Sequence, residues 1–413
     1  MSTTPNADRR SVLAGFAAGL AVGAAGPALA QDLEARARKI HDAVLVLDSH
    51  LDIPLDYGTG AHDPGIDSDT QVDLPKLERG GVDAAAFAVF APQGPRTPEG
   101  FADARAQAET KLAAIRAIPE RYPSHAALAL SPDAVTAARR AGKVAVIPSF
   151  LNAYSLGKDV AAIDSFQARG VRLFGFVHAG NNDFADSSRP APGTGEEHGG
   201  LSALGREAVG RLNRLGVLID ISQLTKAGAL QTIGLSRAPV IASHSGVRGV
   251  VDATRNLSDE ELDALAAKGG VIHIVAFKSY LVRPSADYAD KVRGLRRTFG
   301  LTEAFEKTGD GTAALSAEKR LDYTHQLGGL LRDATVADLA DSIDYAVKRI
   351  GIDHVGVGSD FNHGAGVTGW KNAGEAFGVT RELVRRGYSQ SQVEKLWGGN
   401  FLRAWRWAEA ARG

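Results

Sequence analysis

A histidine and an aspartate stand two residues apart in the segment VLVLDSHLDIP, which covers residues 44–54. Side chains at positions i and i+2 of a strand point to the same side, so His50 and Asp52 could share one metal ion. Imidazole nitrogen and carboxylate oxygen are both zinc ligands. They could equally be ordinary polar residues where a strand meets its loop, because an H-x-D pattern alone is a weak signal. The rest of the chain has to decide between these two interpretations.

The composition excludes several kinds of site. The 413 residues include no cysteine, which rules out disulfides, thiolate metal ligands and cysteine nucleophiles. The formal net charge is −1, so we expect no nucleic-acid partner. With 44% hydrophobic and 23% charged residues, the chain has the composition of a soluble globular protein with one large domain or two of ordinary size.

The first 30 residues have the layout of an export signal. An arginine pair, Arg9 and Arg10, precedes a Gly/Ala/Leu-rich stretch, and Ala-Leu-Ala precedes Gln31. This arrangement resembles a twin-arginine signal with a small-residue cleavage site, and it predicts a periplasmic or secreted protein. The alternative is an uncleaved membrane anchor, but the stretch is shorter and less apolar than the ~20 strongly apolar residues of a membrane span. We therefore expect residues 1–30 to be a signal peptide, with no stable membrane anchor.

β-type apolar runs alternate with helix-type segments through the remainder of the chain. Near-continuous Val, Ile and Ala runs are typical of strands buried on both faces, as in a parallel sheet. Amphipathic segments such as 101–118, 201–216 and 335–351 lie between them. Eight βα units predict an α/β fold, a TIM-like (β/α)8 barrel; an open doubly wound sheet is the alternative, although no G-x-G-x-x-G motif follows an early strand. The predicted strands cover residues 43–50, 82–90, 143–150, 170–178, 216–222, 238–244, 269–277 and 354–361.

A barrel of this kind also predicts where the chemistry is located. Catalytic groups gather at the carboxyl ends of its strands, around one mouth. Each strand-end side chain alone is more often a hydrogen-bonded loop residue, but several metal-capable or polar ends in one barrel predict a shared site. These ends carry His50 with Asp52, His178, Gln223, His244 and Asp360.

Several segments from about residue 38 to the C-terminus carry a family resemblance: DSHLDIP, LNAYSLGKD, GVRLFGFVHAGNNDFADS, LNRLGVLIDIS, PVIASHSGVR, TRNLSDEEL, VGVGSDF and GGNFLRAW. Together, and in this order, they resemble the membrane (renal) dipeptidases of peptidase family M19, zinc-dependent barrel hydrolases of the amidohydrolase superfamily. The chain looks most like exported bacterial members. The resemblance implies one dipeptidase-like barrel over residues 31–413, with a helical insertion near residues 278–332.

The resemblance also implies a metal centre, with two ligands replaced. The family binds two zinc ions through an H-x-D pair, a bridging glutamate after strand three, and histidines after strands five and six. His50 and Asp52 match ligands of one ion, and His244 matches a ligand of the other. The bridging glutamate falls on Leu151 and the fifth-strand histidine on Gln223. Leucine cannot bind a metal, and a glutamine carbonyl is a weak substitute for imidazole.

Catalytic and substrate-binding roles are implied in the same way. His178 matches the histidine that polarises the scissile carbonyl, and Asp360 matches the acid that handles the proton of the attacking water. Arg255, in the sequence TRN, matches the arginine that binds the substrate carboxylate. Asn152 and Tyr154, in the sequence NAY, are expected to contact the substrate beside His178.

The depleted ligand set favours one zinc ion rather than two, or none. His50, Asp52 and Asp360 could supply the three protein ligands that catalytic zinc normally has. His273 is a spare candidate in the seventh predicted strand, although a histidine packed between barrel and helices is the favoured interpretation. His363 follows Asp360 and is expected in a mobile NHGAG loop.

Three functions remain open at this point. The first is an exported metal-dependent hydrolase that cleaves the amide bond of dipeptides, or of similar small carboxylate-bearing amides, with metal-activated water. The second is a non-hydrolytic descendant, a binding or maturation protein, and the third is a metal-poor enzyme with altered chemistry. Retention of His178, Arg255 and Asp360 favours the first, whereas Leu151 and Gln223 favour the others. We expect a small peptide-like substrate as partner and leave a homodimer open.

Overall fold

The computed structural model describes residues 27–191, 194–301 and 315–413. Most of the predicted signal peptide, residues 1–26, lies outside this part of the chain. In the described residues the strands are β1 (Leu47–Leu51), β2 (Ala84–Phe90), β3 (Ala126–Leu128), β4 (Val144–Leu151), β5 (Leu173–Gly175), β6 (Leu218–Asp220), β7 (Ile241–Ser245), β8 (Val271–Val275) and β9 (Val355–Gly358).

All strand pairs are parallel, and the hydrogen-bonded order is β1-β2-β4-β5-β6-β7-β8-β9. The short β3 pairs with the start of β4 and lies off this path. A bridge between Leu51 and Phe361 joins the end of β9 back to β1, and the backbone N–H of Asp360 donates to the carbonyl of His50 at 2.9 Å. This near closure confirms the predicted (β/α)8 barrel, since an open sheet would leave its two edge strands apart.

The helices lie between the strands in sequence, as expected for βα units. The predicted amphipathic segments are helical, because their apolar residues recur on the face that packs on the barrel. The helices are α1 (Pro27–Ala43), α2 (Leu74–Arg79), α3 (Pro98–Arg121), α4 (Pro132–Arg140), α5 (Ala162–Ala168), α6 (Ala203–Leu215), α7 (Lys226–Leu235), α8 (Asp259–Ala267), α9 (Lys278–Leu281), α10 (Tyr288–Thr298), α11 (Ala317–Gly329), α12 (Val336–Ile350), α13 (Phe377–Arg385), α14 (Gln390–Glu394) and α15 (Asn400–Ala410).

Short-range hydrogen bonds fix where several helices begin and end. Ser258 and Glu261 form a capping box at the start of α8, and Thr335 and Asp338 form another at the start of α12. Gly216 ends α6 with a φ of +68°, a left-handed conformation that glycine adopts without a steric penalty. These local signals set the lengths of the connections that lead to the carboxyl ends of the strands.

The amino end of the barrel is closed by the last helix. All residues of β2 and β4 are buried, as expected for parallel strands covered on both faces. Phe401 and Trp405 of α15 belong to an apolar cluster with residues from the starts of many strands. The carboxyl end is therefore the end at which a substrate can approach. The strand residues of this cluster include Leu47, Ala84, Ala145, Leu173, Leu218, Ile241 and Val271.

The connection between β8 and α12 contains three helices of its own among the described residues, α9, α10 and α11. The middle one, α10, buries none of its residues and carries four cationic side chains, Lys291, Arg293, Arg296 and Arg297. This is the segment in which the sequence predicts a helical insertion. Within the described chain, no helix combines the length and the apolar character needed to cross a membrane.

Candidate active site at the carboxyl end of the barrel

Four buried side chains come together at the ends of β1, β6, β7 and β9. The rings of His50 and His244 stack with centroids 3.8 Å apart and planes 13° from parallel. Nε2 of His50 lies 3.8 Å from Oδ1 of Asp360. One ligand atom from each of His50, Asp220 and His244 lies within 4.8 Å of the others. The strand ends that the sequence places at one mouth are thus adjacent in the structure.

Two buried carboxylates hold these strand ends in place. Oδ1 of Asp48 accepts hydrogen bonds from the backbone N–H of His50 at 3.2 Å and of Ser359 at 2.9 Å, which ties β1 to the end of β9. Burial raises the pKa of Asp48 to about 6, although the bonds from Ser359 and His50 oppose this. Oδ1 of Asp220 accepts from the backbone N–H of Ser243 at 2.9 Å and links β6 to β7. The positions of His50 and His244 follow from these links.

The Asp52 carboxylate has cationic partners on both oxygens. Nζ of Lys111, from α3, donates to Oδ1 at 2.7 Å, and Nδ1 of His363 lies 3.0 Å from Oδ2. Burial alone would raise the pKa of Asp52, but the hydrogen bond from His363 and the Lys111 ammonium lower it below its usual value. Burial would likewise lower the pKa of His363, yet its bond to Asp52 and the charge of Asp360 raise it. The three groups form an ionic cluster in which Lys111 and Asp52 are buried and His363 is half-buried.

Hydrogen bonds determine the orientation of the Gln223 amide. Nη2 of Arg189 donates to Oε1 of Gln223 at 2.7 Å, and a guanidinium can only donate, so the amide oxygen must face Arg189. The amide nitrogen then faces Nε2 of His244 at 3.0 Å and donates to it. Nδ1 of His244 donates to Oγ of Ser243 at 2.7 Å, and this hydroxyl donates to Oδ2 of Asp220 at 2.5 Å. Both ring nitrogens of His244 therefore have protein partners.

Asp360 and His178 are the two side chains to which the sequence assigns catalysis. Burial raises the pKa of Asp360 to about 7, against the opposing charges of His363 and Arg255. Asp360 also has a φ of +60°, an uncommon left-handed conformation of the kind found at functional sites. Burial, and then the charge of Arg189, lower the pKa of His178 well below its usual value, so this imidazole is neutral. A carboxyl group with a pKa near 7 and a neutral imidazole both suit proton transfer near neutral pH.

Arg255, predicted to bind a substrate carboxylate, is 4% exposed. Its Nη2 donates to the carbonyl of His244 at 2.6 Å, and its Nη1 donates to Oγ of Ser245 at 3.0 Å. Nε has no partner within the described residues although it is buried. Burial lowers the pKa of Arg255 to about 10, with the neighbouring Tyr280 as an opposing effect, so the guanidinium is charged at neutral pH.

Asn152 and Tyr154 lie in the loop that follows β4, and their polar atoms form hydrogen bonds with the segments that follow β2 and β5. Nδ2 of Asn152 donates to the carbonyl of Ala91 at 3.0 Å, and its Oδ1 accepts from Nδ2 of Asn182 at 3.0 Å. The Tyr154 hydroxyl donates to the carbonyl of Pro95 at 2.7 Å, and the residue is 2% exposed. These contacts shape the loop; the substrate-binding role implied for the two residues stays a prediction.

Leu151, at the position of the bridging glutamate, belongs to an apolar wall. It is 3% exposed and forms a cluster with Ala88 and Phe90. The Phe90 ring lies 4.5 Å from the His178 ring and 5.2 Å from Nζ of Lys111. This side of the mouth therefore offers hydrocarbon and an aromatic face where a metal bridge would need oxygen.

Four polar residues of the mouth are absent from the sequence prediction or were given no role in it: Lys111, Arg189, Asp220 and His363. Lys111 is one of many charged residues on a long amphipathic helix, and Arg189 lies in a Gly/Pro-rich loop. His363 was expected in a mobile loop, whereas its ring is bonded to Asp52. His273 is the packed histidine that the sequence favours: its Nδ1 lies 3.2 Å from the carbonyl of Ala242, and burial lowers its pKa to about 4.

The described residues do not fit the two-zinc centre that the resemblance implies. An imidazole lone pair lies in the ring plane, so the stacked, near-parallel rings of His50 and His244 cannot both bind one ion ~2 Å away, and each could serve only an ion of its own. The oxygens of Asp52 and of Asp220, and Nε2 of His244, already have partners. His50, whose Nδ1 is buried without a partner, and Asp360 remain as donors. Two donors are one fewer than catalytic zinc normally has, and the one-ion zinc site stays a prediction.

Comparison with protein families gives a match along the barrel. The family model described as membrane dipeptidase (peptidase family M19) matches residues 34–413. The dipeptidase verJ of Clonostachys rogersoniana is 27% identical over 391 residues, which cover 91% of this chain and 87% of that protein. The dipeptidase tcpJ of Claviceps purpurea is 27% identical over 344 residues, or 82% of this chain and 69% of that protein.

Solved structures with the same fold agree with this match. The probable dipeptidase PvdM from Pseudomonas aeruginosa has a TM-score of 0.84 and 43% identity, and the match covers 92% of this chain and 99% of that chain. A metallo peptidase from Rhodobacter sphaeroides, liganded with a phosphinate mimic of the dipeptide L-Ala-D-Ala, has a TM-score of 0.68 and 22% identity over 88% of this chain and 99% of that one. At that identity the second likeness shows the fold alone.

Proposed function

The chain belongs to the membrane dipeptidase family, and on this basis we propose that its barrel mouth hydrolyses an amide bond in a small peptide-like substrate with a free carboxylate. The family is metal-dependent, and the chain is a hydrolase of this metallo-dipeptidase family. The proposal adds the class of substrate and the residues that act on it.

Arg255 is the single observation that carries the proposal. A guanidinium that is 4% exposed, with an unpartnered Nε, is costly to bury unless an anion completes its hydrogen bonds. The backbone carbonyl of His244 and the Ser245 hydroxyl fix its orientation at the mouth without neutralising it. No carboxylate of the described residues bonds to this guanidinium, and a substrate carboxylate would supply the charge and the acceptor geometry. A cleft of about 250 Å³ is lined in part by Ser188 and Thr254, the chain neighbours of Arg189 and Arg255.

The groups around Asp360 can perform the proton transfers of hydrolysis. Asp360 accepts a proton from a water molecule as the water oxygen attacks the carbonyl carbon, and later gives that proton to the departing amine as the C–N bond breaks. The negative charge on the carbonyl oxygen is met by the neutral His178 imidazole and the Arg189 guanidinium, whose Nη2 lies 3.3 Å from Nε2 of His178. Nε of Arg189 is buried and has no partner in the part of the chain that the structure describes, so it is available to an oxygen of the substrate.

The test is a substrate panel with matched carboxyl and amide termini. Purified protein is incubated with dipeptides, N-acyl amino acids and their C-terminal amides, and products are quantified by mass spectrometry. We expect turnover of free-carboxylate substrates that is lost in Asp360→Asn. A wild-type protein that cleaves the amides as fast as the acids would contradict the proposed role of Arg255. Absence of turnover for every compound would contradict the hydrolysis itself.

A second candidate is a family member that binds the same class of ligand without hydrolysing it. It is favoured by the hydrogen bond from Gln223 to Nε2 of His244, which uses the nitrogen that would otherwise bind a metal. The same panel distinguishes the two candidates. Calorimetric binding of intact dipeptides, abolished in Arg255→Ala and without product formation, would support the second.

We also propose that the protein acts after export and that residues 31–413 form one barrel domain. The proposal rests on the arginine pair and the small residues before Gln31 in the sequence. Cell fractionation of the full chain should find it outside the cytoplasm, and replacing Arg9 and Arg10 together by lysine should retain it inside. Equal distribution of the two forms would contradict a twin-arginine signal.

A further inference from the structure

We infer that groups of the protein itself fill both of the family's metal positions: Lys111 and His363 at Asp52, and the Gln223 amide at His244. The inference goes beyond the proposed hydrolysis, because it concerns which groups hold and charge the mouth. Measurements of metal binding, and not of turnover, test this inference.

The first position is occupied by the Lys111–Asp52 pair. The two side chains are 9% and 6% exposed, and Nζ lies 2.7 Å from Oδ1. Nδ1 of His363 lies 3.0 Å from the other oxygen, Oδ2. A divalent ion bound to this carboxylate at ~2 Å would lie within a few ångströms of the lysine ammonium, and burial of the pair would strengthen the repulsion. A lysine ammonium and a metal ion therefore compete for Asp52.

The wall beside Lys111 suits the ammonium and not a metal ion. Phe90 presents its ring 5.2 Å from Nζ, and an aromatic face attracts a desolvated cation. Leu151, the neighbour of Phe90 in the same apolar cluster, supplies no oxygen. Replacement of the bridging glutamate by leucine and the approach of Lys111 thus fit each other: one removes a negative charge and a ligand, and the other supplies the positive charge.

The second position is filled by a hydrogen bond. The Gln223 amide donates to Nε2 of His244 at 3.0 Å, and Arg189 fixes the amide in that orientation through its 2.7 Å bond to Oε1. Turning the amide over to offer its oxygen to a metal would place its NH2 group against the Arg189 guanidinium, donor against donor. Gln223 has a φ of +72°, so its backbone also holds an uncommon conformation at this point.

The mouth consequently keeps its positive charge without a bound ion. Lys111 and Arg189 supply cations from a helix and a loop, and both approach strand-end residues that the family uses as ligands. Asp52 and His244 have the role of anchors for these cations and for the amide. Metal removal should then leave the fold and the ligand-binding mouth unchanged.

Zinc binding to the wild-type protein is the first test. Protein stripped with a chelator is titrated with zinc sulfate by calorimetry, and the zinc that remains after gel filtration is measured by mass spectrometry. We expect much less than one zinc ion per chain, and no change in the thermal unfolding midpoint when zinc or chelator is added. Retention of one or more zinc ions that Asp52→Asn or His244→Ala abolishes would overturn the inference.

Substitutions supply the second test. Lys111→Met should raise zinc affinity by about tenfold or more, because it removes the competing ammonium and keeps the side-chain length. The double variant Leu151→Glu/Gln223→His should bind less zinc per chain than the triple variant that also carries Lys111→Met. Lys76→Met is the matched control, since Lys76 is also a buried lysine paired with an aspartate, Asp73, but lies in α2. Equal zinc content with and without Lys111 would overturn the inference, and if the variants do not fold the wild-type titration decides.

Discussion

Replacing Lys111 by methionine should destabilise the fold through the carboxylate that it leaves behind. Methionine keeps an apolar stem against Phe90 and removes only the ammonium. Asp52 would then keep the backbone N–H of Ile53, 2.7 Å from Oδ1, and His363 at Oδ2. Removing one partner of a buried ion pair typically costs 3–5 kcal/mol, and because two bonds to Asp52 remain we expect about 3 kcal/mol.

A double-mutant cycle separates this cost from a loss of packing. Urea unfolding, followed by circular dichroism and by the fluorescence of the four tryptophans, gives the free energy of unfolding of each variant. Asp52→Asn removes the charge that Lys111 serves, so the double variant should be about 1–3 kcal/mol more stable than the sum of the two single losses predicts. Lys76→Met combined with Asp52→Asn is the control and should be additive.

Additivity of Lys111→Met and Asp52→Asn within about 0.5 kcal/mol would refute the reasoning, because the two groups would then not interact. The stability that the Lys111–Asp52 pair contributes should also depend on pH. Since the pKa of Asp52 is lowered on folding, its contribution is present above the usual range of an aspartate and is lost as pH falls through the lowered pKa. The difference between wild type and Lys111→Met should therefore shrink in acid.

Three further predictions concern catalysis and packing. With Asp360 as the base and its pKa raised to about 7, kcat/KM should rise with pH up to about 7 and then level off, whereas Asp360→Asn should be inactive throughout; a flat wild-type profile would contradict this role. Arg255→Lys should lower kcat/KM for free-carboxylate dipeptides by about tenfold to a hundredfold and leave their amides unchanged, and equal losses for both would exclude carboxylate recognition. Gly80→Ala should lower the free energy of unfolding, measured in urea, by about 1–3 kcal/mol, because the added Cβ would lie 1.9 Å from the carbonyl oxygen of Ala373. An unchanged urea midpoint of unfolding would mean that the backbone at Ala373 moves away at little cost.

The eight barrel strands could be predicted because burial on both faces requires uninterrupted apolar runs, and such runs are visible without any tertiary knowledge. β3 was missed for the opposite reason. Its three residues, Ala126–Leu128, are too short and too alanine-rich to differ from the helical segments on either side. The barrel architecture follows from the alternation of elements, and this one short strand changes none of it.

The strand-end part of the mouth was predictable for a geometric reason, since the fold itself brings His50, His244 and Asp360 together. The cationic residues of the mouth could not be predicted in this way. Lys111 reaches the mouth from the middle of α3, and nothing in a charged helical position indicates which of its neighbours points inward. Arg189 depends on the path of a loop, which local sequence does not determine. The replacement of two family ligands by Leu151 and Gln223 was visible in the sequence, but the groups that compensate for it could be found only in the structure.

Closure of the amino end by α15 has a consequence for biosynthesis. Residues 400–410 are translated after every strand, yet Phe401 and Trp405 cover the apolar starts of those strands. A nascent chain that lacks this helix leaves the apolar starts of the strands uncovered, so the barrel can finish folding only after residues 400–410 have been synthesised. Early stop codons or a proteolytic nick before residue 400 should therefore yield aggregates and not a shortened, functional protein.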